Sequence, residues 1–295
     1  MSLRLLIGAA LALGLVLPVA RAAQAPHAIE HSQWNAPQKP FRIYGNAWYV
    51  GPYGLSSILL DTGQGLALFD GDLPESATQI EAHIRELGFR VRDVKWILNS
   101  HAHSDHAGGI VALQAASGAQ VLASAAGKRE LELGGADPGD PQYGSAPQYT
   151  PLKNVHVVRD GEILQLGHVA VTAHYTPGHT PGSTSWTWES CAGRRCLHIA
   201  YVDSLSAISA DSYRFTDHPA YVGSFRKTFA TVAALPCDIL LTPHPDASGF
   251  WEKVAQRKSS TDVTPLVDPK ACRDYAADAA KSLDARLAEE QATKR

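Results

Sequence analysis

The sequence predicts an α/β fold, built as one large layered domain over residues 23–295. Three observations carry that expectation. Short runs of Ile, Leu, Val and aromatic residues alternate with amphipathic helical stretches. The alternation goes round twice, each time as several strands, then a helix, then a strand, which points to two similar halves although no repeat shows in the residues themselves. One apolar strand, Val94-Lys95-Trp96-Ile97-Leu98, runs straight into a cluster of metal-ligating side chains. In α/β sheets, ligands gather at the carboxyl ends of strands.

The first element is a leader. Met1-Ser2-Leu3-Arg4 precedes an apolar run from Leu5 to Ala20 and then Ala20-Arg21-Ala22, the pattern of a secretory signal peptide over residues 1–22. The run is shorter than the ~20 apolar residues of a membrane span, and no later stretch reaches that length. The mature chain is therefore read as an exported, periplasmic protein with no membrane anchor after cleavage.

From Phe41 three strand-like pieces follow, Phe41 to Val50, Ser56 to Asp61 and Leu66 to Asp70, separated by Gly51-Pro52-Tyr53-Gly54 and Thr62-Gly63-Gln64-Gly65. A helix is expected from about Glu75 to Leu87, because Ile80, Ile84 and Leu87 share one stripe. After Val94 to Leu98 come a helix from Gly109 to Ala116, a strand from Gln120 to Ala123 and a helical stretch around Lys128 to Leu133. The Gly- and Pro-rich segment from Asp137 to Pro151 reads as a surface loop. The second round begins with strands at Glu162 to Leu166, Val169 to Tyr175, Ser183 to Trp188 and Leu197 to Val202. It continues with a helix from about Pro219 to Leu235, a strand from Asp238 to Leu241 and a helix from about Pro269 to Glu290, and Glu289 to Arg295 should fray. Trp186 and Trp188 read as packing residues. Tyr53 is a candidate apolar wall.

The whole chain has 26 basic and 29 acidic residues. Loss of the leader removes Arg4 and Arg21 and no acids, so 24 basic residues face 29 acidic ones and the formal charge becomes −5. Nothing in this balance suggests a nucleic-acid partner. Four cysteines in an exported chain favour disulfides. Cys191 and Cys196 flank a short loop between two strand-like runs and should close a hairpin, which leaves Cys237 to pair with Cys272. A zinc knuckle is the rival reading.

The segment His101-Ala102-His103-Ser104-Asp105-His106 packs four metal-binding side chains into six residues. An H-x-H pair on extended backbone projects both imidazoles to one side. Asp105 and His106 fall where the chain turns into a helix and aim at a neighbouring position, so two metal sites are expected. A catalytic zinc takes three protein ligands and keeps an open position. Each ion therefore needs one more ligand, and two of the thirteen histidines stand at strand ends among prolines: His179 in Thr176-Pro177-Gly178-His179-Thr180-Pro181-Gly182 and His244 in Thr242-Pro243-His244-Pro245. The other eight, including His83, His156, His174 and His218, read as surface or satisfied core residues.

H-x-H-x-D-H after a strand, a distant Pro-Gly-His and a last distant histidine resemble the metallo-β-lactamase superfamily over nearly all of the mature chain. That resemblance implies a four-layer αββα sandwich, with two mixed β-sheets, flanking helices and the metals at one edge. Within the superfamily the residues resemble subclass B3, which implies two zinc ions, one held by His101, His103 and His179 and the other by Asp105, His106 and His244. Tyr201-Val202-Asp203-Ser204-Leu205-Ser206 lacks the cysteine ligand of the other large lactamase subclass. Asp203 is either a carboxylate that orients a ligand or, as in glyoxalase II enzymes and lactonases, a bridge between both metals. The implied activity is opening of the β-lactam ring of penicillins, cephalosporins and carbapenems, with resistance to them as the consequence. Its nucleophile derives from water. Asp105 would also orient that nucleophile, Ser204 and Ser206 would hydrogen-bond the drug carboxylate or a metal-bound water, and Gln142 would reach the carbonyl. The partner is a small β-lactam and the chain is read as a monomer. The alternatives are an exported dinuclear hydrolase of a lactone or thioester, and a non-catalytic periplasmic zinc-binding protein.

Overall fold

Apolar strands in the first half of the chain pair with their sequence neighbours. In the computed structural model, which describes residues 32–293, β1 (Phe41–Tyr44), β2 (Ala47–Tyr49), β3 (Ile58–Asp61), β4 (Leu66–Phe69), β5 (Val94–Leu98), β6 (Gln120–Ala123) and β7 (Val155–Val157) lie side by side in that order. β1 to β4 are antiparallel, and β4 to β7 are parallel. The parallel part needs crossovers, supplied by α1 (Ala77–Glu86), α2 (Ser104–Ala107), α3 (Ile110–Ser117) and α4 (Ala125–Glu132). The second sheet runs β12 (Ile239–Leu241), β11 (Arg195–Tyr201), β10 (Thr184–Ala192), β9 (Val169–Tyr175) and β8 (Ile163–Leu166), antiparallel except for β11 with β12. The leader and cleavage position expected from the sequence lie outside the described residues.

Period-two alternation explains why both sheets are buried on both faces. Ile58 and Leu60 of β3 join Phe69, Trp186, Trp188, Ile199 and Tyr201 in the core between the sheets, while Leu59 points the other way, with Ile97 and Val121, against Ile80 and Ile84 of α1 and Leu113 of α3. Likewise Ala200 and Leu240 turn from the second sheet toward Phe225 and Phe229 of α5 (Pro219–Ala233) and, past the short α6 (Phe250–Ala255) in the sequence, Ala276 and Leu283 of α7 (Ala271–Thr293). Three apolar layers between four structural layers make the αββα sandwich. Each large side chain fully buried in them contributes about 1.5–3 kcal/mol.

Three sequence expectations change. Phe41 to Val50 is a hairpin rather than one strand, turning at Gly45-Asn46 with Gly45 in the left-handed region at φ 52°, a two-residue turn signal that the residues do carry. β7 was not anticipated. The C-terminal tail does not fray at Glu289: α7 runs to Thr293, because Glu290, 5% exposed, accepts from the Phe215 and Thr216 amides and from Arg286. Both disulfides form as paired above, Cys191–Cys196 across the β10–β11 hairpin and Cys237–Cys272 between the approach to β12 and α7. With no free cysteine among the described residues, the zinc-knuckle reading falls.

Candidate metal centre

The turn after β5 is held rigid from below. Buried Asp70 accepts from the Ser100 amide at 2.7 Å, the Ser100 hydroxyl at 2.6 Å, Asn99 Nδ2 at 3.0 Å and the Tyr201 hydroxyl at 2.8 Å. Burial nevertheless pushes its carboxyl up to about 7. Thr184 N donates to Ser100 O at 2.8 Å and ties the second sheet to the same turn. His101, His103, Asp105 and His106 thus leave a fixed point, the last two on α2.

His101, His103 and His179 converge, their ligand atoms all within 4.8 Å of one another and their ring centroids 4.7 to 4.9 Å apart. One nitrogen of each ring is tethered. His101 Nδ1 lies 2.7 Å from Asp203 Oδ1, His103 Nε2 2.8 Å from Asp140 Oδ2, and His179 Nδ1 2.9 Å from the Ser206 carbonyl oxygen. Such tethers set the ring orientation and leave the other nitrogen for a metal. His101 Nε2 is buried with no hydrogen-bond partner, a state that would be costly unless something else fills it.

Asp105, His106 and His244 form a second set beside the first, with the His101 and His106 rings 4.3 Å apart. His106 Nε2 and His244 Nε2 are 3.2 Å apart, and Asp105 Oδ2 is 3.2 Å from each. Zinc at about 2.0–2.1 Å from tetrahedral ligands separates those ligands by about 3.3 Å. The triangle therefore has the size of one face of a zinc tetrahedron. The electrostatics agree for three of the four buried ligand histidines, whereas at His103 burial is outweighed by the Asp140 carboxylate, which raises the imidazole. Burial lowers His101 and His106, and burial followed by the neighbouring His101 and His103 lowers His179 to about 3, so these imidazoles are neutral, the ligand form. Burial opposes ionisation of Asp105, but His106 and His244 hold it well below the usual carboxylate range.

Both sets border a groove of about 450 Å³ whose wall includes Trp34, Gln142, Ser204, Ser206 and His244. Of the residues singled out from the sequence, His103, Asp105, Gln142, His179, Ser204, Ser206 and His244 line it, while His101 and His106 are buried and do not. A second hollow of about 470 Å³ under α7 shares Ser204, Ser206 and His244 with it. Tyr53 does not line the groove; it stacks on Trp251 at 4.8 Å, and the aromatic wall is Trp34, 5.2 Å from the His244 ring. A Ser-x-x-Lys spacing, Ser224 to Lys227, lies on α5 and also outside it. Sequence reasoning missed Asp140, which comes from the segment expected to be a plain surface loop but turns inward to His103, and Tyr149, whose hydroxyl donates to Ala102 O at 2.8 Å. The available signal was the Asp140-Pro141 pair, a polar residue in a turn-forming context.

The fold and this edge define a zinc-dependent hydrolase. Residues 43–191 match the model of the metallo-beta-lactamase superfamily. MEM-A1, a subclass B3 metallo-beta-lactamase from a soil metagenome library, is 48% identical, covering 88% of this chain and 99% of its own with a TM-score of 0.85. BJP-1, the subclass B3 metallo-beta-lactamase of Bradyrhizobium japonicum, is 34% identical over 90% of this chain and 99% of its own, with a TM-score of 0.82. A hydroxyacylglutathione hydrolase of Anaeromyxobacter dehalogenans is 36% identical over 131 residues, 44% of this chain, and the chain spans only 41% of that relative's length. The chain belongs to the metallo-beta-lactamase superfamily, and within it to subclass B3.

Proposed function

We propose that residues 23–295 are an exported, monomeric dinuclear zinc β-lactamase that opens the strained amide of penicillins, cephalosporins and carbapenems and so confers resistance to them. The observation that carries this reading is the pair of adjacent ligand sets, each with three protein ligands and each facing one open groove. Zinc bound there supplies Lewis acidity and a water-derived nucleophile usable at neutral pH. His101, His103 and His179 hold the first ion, and Asp105, His106 and His244 hold the second. Asp105, ionised at neutral pH, also accepts a hydrogen bond that orients the attacking water. Ser204 and Ser206 donate to the substrate carboxylate, and Gln142 donates to the carbonyl oxygen. Export is supported by the leader pattern and by two disulfides, which suit an oxidising compartment. Among the described residues no helix is long and apolar enough to cross a membrane.

A thioester or lactone hydrolase is the second reading, favoured by the hydroxyacylglutathione hydrolase relative and by Asp203 Oδ2, which is buried with no hydrogen-bond partner. Against a bridging role, Asp203 Oδ1 is already committed to His101 Nδ1. A non-catalytic zinc protein would close each site with four protein ligands. The test is turnover of a carbapenem, a chromogenic cephalosporin and an acyl-glutathione thioester, with and without a zinc chelator. Chelator-sensitive β-lactam hydrolysis restored by zinc is expected. Turnover of the thioester alone by zinc-loaded protein would overturn the lactamase reading.

A further inference from the structure

We propose that Glu130 is a positioning residue for the reaction, clamping from α4 the turn that presents His179. This rests on the reading of His179 as a metal ligand. Glu130 is 1% exposed, and its two oxygens serve the same turn: Oε1 accepts from Gly182 N at 3.0 Å and Oε2 from Thr180 Oγ1 at 3.2 Å. Thr180 directly follows His179. A carboxyl in this setting is costly compared with an apolar side chain of equal volume, so its retention depends on those bonds.

The packing around the turn leaves the clamp little substitute. A Cβ on Gly182 would lie 2.3 Å from Gly127 N and 2.6 Å from Glu130 Oε2, so only glycine lets the turn rest on α4. Ser124 Oγ donates to Gly182 O at 2.8 Å. On the opposite side Thr228 Oγ1 donates to Pro177 O at 2.7 Å, and a Cβ on Gly178 would meet the Phe225 ring at 2.6 Å. His179 is therefore carried by a segment held between α4 and α5, with Glu130 as the only carboxyl among the described residues hydrogen-bonded to it. Burial, reinforced by Asp140 and Asp137 and opposed by His103, pushes Glu130 up to about 8. Glu130→Gln keeps both contacts in a changed form: its oxygen accepts from Gly182 N, and its amide donates to Thr180 Oγ1, whose hydroxyl then turns to Ser183 Oγ at 3.3 Å.

The experiment uses the full mature protein in three variants, Glu130→Gln, Glu130→Leu and Thr180→Val, and reads zinc affinity by competition with a chromophoric chelator, kcat and KM with a chromogenic cephalosporin, and Tm of the metal-free form. Glu130→Leu should weaken zinc binding or lower kcat by about 10- to 100-fold, the usual effect of losing a group that orients a metal ligand, with KM changed far less. Glu130→Gln should stay within about threefold of the parent by the same scale. Thr180→Val removes one of the two bonds without touching α4 and should move the same readouts in the same direction, which keeps the test decisive if Glu130→Leu does not fold. A folded Glu130→Leu or Thr180→Val with parental zinc affinity and kcat overturns the proposal, as does loss of Tm in all three variants with zinc affinity unchanged. His179→Ala separates the two readings: undiminished zinc affinity there removes His179 as a ligand, whatever Glu130 does.

Discussion

The two ligand sets at the metal edge each combine two residues of the 101–106 segment with one histidine from the second half of the chain, yet they are held differently. His101, His103 and His179 are buried, and each has its far nitrogen fixed, by Asp203, Asp140 and the Ser206 carbonyl. In the second set the His244 side chain is 32% exposed and packs against Trp34, and His106 Nδ1 has no hydrogen-bond partner among the described residues. The first set is preorganised by its surroundings. The second leans on its own three atoms and on one aromatic wall, so its ion should be the one that responds to conditions.

The largest expected effect separates the sets. His101→Ala should lose first-site zinc and lower turnover by more than the 10- to 100-fold typical of an orienting group, whereas His244→Ala should retain about one zinc per chain by elemental analysis. Loss of both ions in either variant would mean that the sets act as one site. Next, chelator titration of the parent protein should remove zinc in two steps, and the first step should vanish in His244→Ala; a single cooperative step in the parent would break the contrast. Asp203→Asn and Asp140→Asn should each cost about 10- to 100-fold in zinc affinity or activity, confined to the first ion. Loss of both ions in Asp203→Asn would instead make Asp203 a bridge.

Smaller effects sharpen the picture. Trp34→Ala removes an aromatic contact of about 0.5–1.5 kcal/mol, so second-site zinc affinity should fall by about 2- to 10-fold while first-site affinity holds. A titration away from the metal edge serves as a control. Burial disfavours the charge on Glu290, but Arg286 and the amides and hydroxyl of Thr216 and Phe215 outweigh it and hold the carboxyl at about 2. A depressed carboxyl stabilises the fold above its unfolded value of about 4.3 and loses that contribution as pH falls toward 2. Glu290→Gln should accordingly cost about 1–3 kcal/mol at pH 7, shrinking between pH 4.3 and 2, with zinc content unchanged at neutral pH. A penalty that does not vary with pH would show that the charge contributes nothing.

Much of the site was legible because its information is local. H-x-H-x-D-H needs only strand alternation and a following helix turn to split into two sets, and His179 and His244 stand in proline-punctuated turns after apolar strands. Most strands were equally legible from their period-two runs, β7 excepted, and the Cys191–Cys196 pair from its hairpin spacing. What escaped was a set of groups whose role depends on a distant partner and which no local motif marks. Asp140 meets His103 across 37 positions, Glu130 meets Gly182 across 52, and Trp34 reaches His244 from the other end of the chain. Glu290 looked like part of a frayed tail until α7 docked it against Thr216.

Residue order alone was enough to specify the chemistry on offer, an imidazole- and carboxylate-rich edge at the end of a buried strand, because ligand spacing within one turn is set by backbone geometry. How tightly each ligand is held was decided by the packing of two sheets and their helices. Orientation comes from hydrogen bonds between segments that only the folded core brings together, and no local pattern encodes which segments those will be.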